Sequence, residues 1–238
     1  RGDGAGRMGG TRSLGLCLLL LLLCAPARAA ERLEPITRLS FAEERAGQPL
    51  VGLGVRTAPA PHRTLLSFSL RSSSPPVPSL FALALYADRI GAKLALIKHK
   101  GIELATDQLP PSFVGALTSG FAKTLVLKVA ASLTAEQVAA HILEPIRPRM
   151  GGGGGRELDT LQQILLEGCA AHASHDGVGT ELAFGLRGPS IGVSVNGNGA
   201  GSISSYRLSR ALLGCYFDED SISPSFRQSC AHGFIAML

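Results

Sequence analysis

Two stretches of the chain alternate with strand periodicity. Between Leu80 and Tyr86, Phe81, Leu83 and Leu85 share one face while Ala82 and Ala84 share the other. Between Thr124 and Ala130, Leu125, Leu127 and Val129 line up in the same way. The shallow alanine face predicts a close neighbour, either a helix or a cavity. Leu50-Val-Gly-Leu-Gly-Val-Arg56 predicts another short strand, with glycines where a backbone or a ligand comes near. Glu181–Leu186 and Ile191–Val195 predict a hairpin around Gly188-Pro189. Asn196-Gly197-Asn198-Gly199 then turns the chain into a third strand ending near Ser204.

Helical signals lie between and after these strands. Thr134 and Gln137 have the spacing of a capping box; Val138, Ile142 and Leu143 form its apolar stripe, and Pro148 is the expected stop. A second helix is expected from Glu157 to Cys169. From Leu208 an amphipathic helix leads to the acidic turn Asp218-Glu219-Asp220. A last helix opens at Ser223-Pro224, with the serine as acceptor for free amides and the proline pre-set to helical φ. Antiparallel strands with helices grouped between and after them predict an α+β domain, its sheet covered on one side.

The remaining segments set the boundaries. Arg12, the apolar run from Leu14 to Cys24 and Ala27-Arg28-Ala29 have the order of a secretory leader, so residues 1–29 are set apart. A signal-anchor is the alternative, and the residues before Met8 are candidates for untranslated sequence. Residues 30–49 are polar and read as a lead-in, with the domain itself at 50–238. Within it, 57–79 is a Ser/Pro-rich low-complexity insertion and 151–155 a flexible five-glycine linker.

Charge and cysteine content narrow the partners. The formal +5 falls to +2 without residues 1–29, which carry Arg1, Arg7, Arg12 and Arg28 against Asp3. A near-neutral body argues against nucleic acid and against an anionic membrane surface. Cys169, Cys215 and Cys230 are an odd, widely spaced set, which fits neither a disulfide framework nor a metal site. His172, His175 and Asp176 sit in an Ala/Ser/Gly-rich turn and read as solvated. Gly188-Pro-Ser190-Ile-Gly192 matches a nucleophile elbow in letters only, because a strand follows where a helix is required. Gly151 to Gly155 lacks the Gly-Lys-Ser/Thr ending of a phosphate loop. Arg56 stands out: a guanidinium at the end of an apolar strand needs an acidic partner or an anionic ligand, unless it reaches solvent.

Several segments, in order, carry a resemblance. They are Leu50 to Arg56, Leu80 to Asp88 running on to Lys98-His-Lys-Gly101, Gly120-Phe-Ala-Lys123, Val193-Ser-Val-Asn-Gly197 through Ile203, and the two C-terminal helices. Together they resemble the chalcone isomerase family, and most of all its non-catalytic, fatty-acid-binding members. The resemblance implies an open-faced β-sandwich of the chalcone isomerase type, an antiparallel sheet backed by helices with the ligand cleft between them. It implies no cofactor. In the catalytic members an arginine, two threonines, a tyrosine and an asparagine serve the substrate. The arginine falls on Arg56, the first threonine on Phe81, the tyrosine on Val138, the asparagine on Pro145 and the last threonine on Cys215. Phe, Val and Pro side chains donate no hydrogen bond, which leaves no catalytic residue to assign.

The resemblance therefore implies a non-catalytic protein that binds a fatty acid or a similar hydrophobic carboxylate through Arg56, Phe81, Val138 and Cys215, without metal or nucleic acid. The tyrosine that helps hold the carboxylate in the fatty-acid-binding members falls on Phe81; Tyr86 and Tyr216 are near in pattern, and neither is assigned. The alternatives are an altered isomerase acting on a phenylpropanoid or flavonoid substrate, and an interaction protein that binds neither. Family resemblance places the protein in plant plastids, whereas the leader looks secretory. The insertion at 57–79 is longer than the family's hairpin, and a retained intron or gene-model error is one explanation; a genuine insertion there would leave Arg56 free to point away from the cleft.

Overall fold

The computed structural model describes residues 30–59, 78–101 and 110–238. The leader, most of the 57–79 insertion and residues 102–109 lie outside the described residues. All the elements below belong to one compact unit, Glu31–Leu238.

Seven strands form one antiparallel sheet in chain order: β3 (Glu44–Arg45), β4 (Gln48–Thr57), β5 (Ser79–Ala87), β6 (Lys123–Val129), β7 (Glu181–Arg187), β8 (Ser190–Val195) and β9 (Asn198–Ser204). A separate two-stranded sheet joins β1 (Glu31–Leu33) to β2 (Ser40–Ala42). The helices are α1 (Arg89–Leu96), α2 (Pro111–Leu117), α3 (Ala135–Ile146), α4 (Gly155–His172), α5 (Tyr206–Phe217) and α6 (Pro224–Met237). This is the α+β architecture expected, with helices backing the sheet.

The period-two reading places the two faces of β5 correctly. Phe81, Leu83, Leu85 and Ala87 enter the main core with Leu125, Leu127, Phe184 and the helix residues Ile142, Leu212 and Phe226. Ala82, Ala84 and Tyr86 point the other way, where they pack on Phe41. Residues 30–49 therefore contribute more than a lead-in. Their strands cover the outer face of the sheet, fastened by the Tyr86 hydroxyl to the Ala42 carbonyl (2.8 Å), Lys128 Nζ to the Ser40 carbonyl (2.6 Å) and Arg45 to Glu181 (2.6 Å).

Turns and caps follow local chemistry. Asn196 and Gly197 take φ of 48° and 81°, the left-handed pair that a two-residue hairpin needs. Thr134 and Gln137 form both bonds of the capping box. The five glycines are not a free linker. Gly154 caps α4 with φ of 107°, Gly155 is the first residue of that helix, and Arg207 donates to the carbonyls of Met150 and Gly153. The insertion leaves and re-enters a closed stem: Thr57 pairs with Ser79, and the Ala58 amide donates to the Pro78 carbonyl at 3.0 Å.

One contact positions everything that follows. Beyond its pairing with β3 at Pro49 and Gln48, β4 has no strand on that side among the described residues, and α6 covers it. The Leu53 amide donates to Ser229 Oγ (3.1 Å), and Ser223 Oγ donates to the Val55 carbonyl (2.6 Å). Ser223 thus spends its hydroxyl on the strand and makes no side-chain cap on α6, contrary to the sequence expectation. The glycines of β4 give the helix its room: a Cβ on Gly54 would fall 2.5 Å from Phe226 Cβ, and one on Gly52 would fall 2.7 Å from the Cys230 amide nitrogen. The close approach read from those glycines is made by a helix.

Candidate functional site

Arg56 shares its face of β4 with Gly52 and Gly54, because its register partner is Phe81, on the helix-facing side of β5. The closed stem beyond Thr57 fixes that orientation, so the insertion does not turn Arg56 out of the fold. Only 5% of its surface is exposed. Its guanidinium carbon lies 5.8 Å from the centre of the Phe81 ring, within cation–π range. Nη1 donates to the main-chain carbonyl of His141 at 2.5 Å.

That carbonyl is free for a reason written in the sequence. In α3 the donor to His141 would be the amide of residue 145, which is proline and has none. The proline ring also crowds the carbonyl four residues back and favours its outward tilt. Arg56 supplies the missing donor and ties β4 to α3. Arg149 repeats the device one turn later, with Nη1 on the Pro145 carbonyl (2.9 Å) and its other nitrogens on the Asp218 carboxylate (2.7 and 2.9 Å).

The two arginines differ in their counter-charge. Arg149 is neutralised by Asp218. Among the described residues no carboxylate comes within 4 Å of Arg56. The buried groups around Arg56 are neutral. Burial pushes the Cys215 thiol up to about 12, and its hydrogen goes to the Ala211 carbonyl at 3.1 Å. Burial also drives the Tyr216 phenol above the usual tyrosine range, with Arg56 close enough to oppose the rise. Burial and the Arg56 charge both lower the His141 imidazole, with Glu144 acting against them.

Arg56 lines one wall of a cleft of about 510 Å³ at the end of β4, with Thr57, Glu144, Pro145, Arg149 and Ile222 around it. Its volume is in the range of small-ligand sites. Phe81, Val138 and Cys215 do not line open space: they are 0%, 3% and 1% exposed. An internal void wide enough for water would leave accessible area on its walls. These side chains fill the layer between sheet and helices, so an acyl chain entering there requires α3 and α5 to move off the sheet.

The four residues singled out from the sequence are all buried in the layer between sheet and helices. Arg56 and Phe81 are register partners, Arg56 is close enough to Cys215 to bias its thiol, and Val138 lies one turn before His141 on α3. Of the two unassigned tyrosines, Tyr86 belongs to the outer face and Tyr216 stands beside Arg56. The parts not foreseen are Tyr216, Pro145 as the cause of the free carbonyl, and Arg149. The four-residue spacing of His141 and Pro145 was the legible signal for the second.

No family model matches the sequence, and no characterised protein matches it by sequence. By structure, the chain is similar to the fatty-acid binding protein AtFAP1 of Arabidopsis thaliana. The TM-score is 0.65 at 21% identity, over 87% of this chain and 98% of that one. The fold is that of the chalcone isomerase-like proteins. The identity is low enough that the likeness carries the fold and leaves the chemistry to the residues. In this chalcone isomerase-like fold Arg56 stands at the end of the second strand of the sheet, facing the helix layer.

Proposed function

We propose that the protein binds a fatty acid or a similar hydrophobic carboxylate and performs no reaction on it. The observation that carries this reading is Arg56, a guanidinium nine-tenths buried, with one carbonyl partner and no carboxylate within ion-pair distance among the described residues. A buried cation is costly unless it is paired, and a ligand carboxylate is the missing partner. Arg56 has five N–H donors and gives one to His141, which leaves a fork suited to a carboxylate. Tyr216 takes the place of the hydroxyl lost at Phe81. The fold likeness to a fatty-acid binding protein supports the same reading, as do the apolar side chains of Phe81, Val138 and Pro145 where an isomerase needs hydrogen-bond donors.

The test is native mass spectrometry of the Glu31–Leu238 unit, with identification of any lipid that co-purifies and titration with palmitate. Arg56→Met alone unbinds His141 as well, so the informative variant is the double Arg56→Met/Pro145→Ala, in which residue 145 regains its amide. The expected result is stoichiometric fatty acid on the wild type, and affinity reduced about tenfold or more in the folded double variant. Tyr216→Phe is expected to weaken binding by a smaller factor. A wild type that carries no lipid and ignores added palmitate would overturn the proposal. The compartment is a separate question, and a fluorescent fusion of residues 1–29 distinguishes plastid from secretory routing.

A further inference from the structure

Helix α1 has two apolar faces, and only one of them is used. Ala92 and Leu96 point inward and are 1% and 0% exposed. Ile90, Leu94 and Ile97 are 72%, 72% and 62% exposed. Ile97 opens the 3-10 turn Ile97–His99 that continues the helix, and at about 100° per residue the three fall within about 60° of one another, a stripe about two turns long on the outer side. Scattered apolar residues on a surface need no explanation, but a contiguous stripe of three large aliphatics marks a contact surface.

Its setting is basic from Arg89 to Lys100. Arg89, Lys93, Lys98 and Lys100 are all exposed, and no ion pair engages them among the described residues. No acidic residue occurs between Arg89 and Gly101. Asp88, just before the helix, is committed to capping it through the Gly91 amide at 2.7 Å. Lys93 and Lys98 fall on opposite sides of the apolar stripe around the helix axis. A net charge of +2 for the body averages this patch away, which is why the whole-chain argument pointed away from anionic surfaces.

We infer that α1 is an interfacial docking element that lays Ile90, Leu94 and Ile97 into an anionic lipid surface while Arg89, Lys93, Lys98 and Lys100 meet the headgroups. An apolar ridge flanked by lysines matches the depth profile of such a surface, apolar below and negative at the headgroups. A protein partner with an apolar groove offers no reason for four cations that have no ion pair among the described residues. A second copy of the same basic helix would place like charges against each other. The element is rooted through Ala92 and Leu96 in the core, so it docks as a preformed ridge. No helix among the described residues is long and apolar enough to cross a membrane. The inference stands apart from the ligand reading, since α1 follows Ala87 while Arg56 pairs with Phe81 at the other end of β5, about 20 Å away.

The experiment is flotation of the Glu31–Leu238 unit with phosphatidylcholine vesicles, with and without phosphatidylserine. The unit excludes the apolar run of residues 14–24, which would bind vesicles by itself. Expected is binding to the phosphatidylserine vesicles that weakens with salt. It should drop about tenfold or more in Ile90→Ser/Leu94→Ser/Ile97→Ser and lose its lipid preference in Lys93→Glu/Lys98→Glu. The chain has no tryptophan, so Leu94→Trp gives a single reporter whose emission should shift to the blue with those vesicles. No binding at low salt, or binding unchanged in both variants, overturns the inference. So does a dimer in sedimentation equilibrium that the triple serine variant abolishes, which would make the occupant a second copy.

Discussion

Replacing Arg56 by methionine and Pro145 by alanine, singly and together, tests the link between strand and helix. In the wild type the His141 carbonyl has no donor in its own helix and takes Arg56 Nη1 at 2.5 Å. A hydrogen bond from a charged donor contributes about 1.5–3 kcal/mol, and stacking on Phe81 adds about 0.5–1 kcal/mol. Removing an unpaired buried cation offsets part of this. Arg56→Met should therefore destabilise by about 1–3 kcal/mol. In the Pro145→Ala background the residue 145 amide serves His141, and the same replacement should cost about 1–2 kcal/mol less. Urea denaturation of the four proteins, with equal slopes as the check on two-state behaviour, gives the coupling directly. A cycle that closes to within about 0.5 kcal/mol would show that Arg56 and Pro145 act independently, and the account of the free carbonyl would fall with it.

Three further outcomes follow from named contacts. Gly233→Ala would place a Cβ 1.8 Å from the Val51 carbonyl oxygen, so it should cost more than about 2 kcal/mol in thermal or urea unfolding, whereas Gly152→Ala meets nothing within 4 Å and should be near neutral. Lys123 is buried, and desolvation lowers its pKa from 10.5 to about 8. Between those values the unfolded chain keeps its proton while the folded one loses it, so wild-type stability should rise with pH. Relative to Lys123→Met the gain should reach up to about 3 kcal/mol by the end of that window, and a pH-independent difference would contradict it. Glu144 is exposed on the wall of the Arg56 cleft and repels an incoming carboxylate, so Glu144→Gln should tighten palmitate binding by about two- to fivefold in calorimetric titration.

What could be read in the sequence, and what could not, follows from how local each determinant is. The alternation of β5 and β6, the Asn196-Gly197 turn and the Thr134/Gln137 box are fixed by residues within a few positions of each other, and each appears as expected. Strands β1 to β3 are two or three residues long and are fastened by Tyr86, Lys128 and Glu181, which lie far along the chain. No local pattern announces them. Helix α1 was missed because Ile90, Leu94 and Ile97 add a second apolar face to the one set by Ala92 and Leu96, and two faces blur the helical period. At the site, Arg56 was legible as an awkward cation, while its carbonyl partner depended on a proline four residues beyond His141 on another element.

The anchoring role of Arg56 and its proposed role toward a ligand compete for one guanidinium, and the competition has a direction. Phe81, Val138 and Cys215 are closed off in the layer between the sheet and helices α3 and α5, and Arg56 helps hold α3 down through His141. A carboxylate that draws Arg56 toward the cleft weakens that hold and eases the separation of α3 from the sheet that an acyl chain requires. Head-group capture and opening of the apolar layer are then one event. On this reasoning Pro145→Ala, which gives His141 a donor within its own helix, leaves Arg56 free and should raise palmitate affinity by up to about tenfold, the equivalent of one charge-assisted hydrogen bond no longer sacrificed. Amide exchange in α3 would report the second half: it should respond to palmitate in the wild type and less so in Pro145→Ala. Unchanged affinity in a folded Pro145→Ala protein would separate the two roles, leaving Arg56 as a strand-to-helix tie whose spare donors alone meet the ligand.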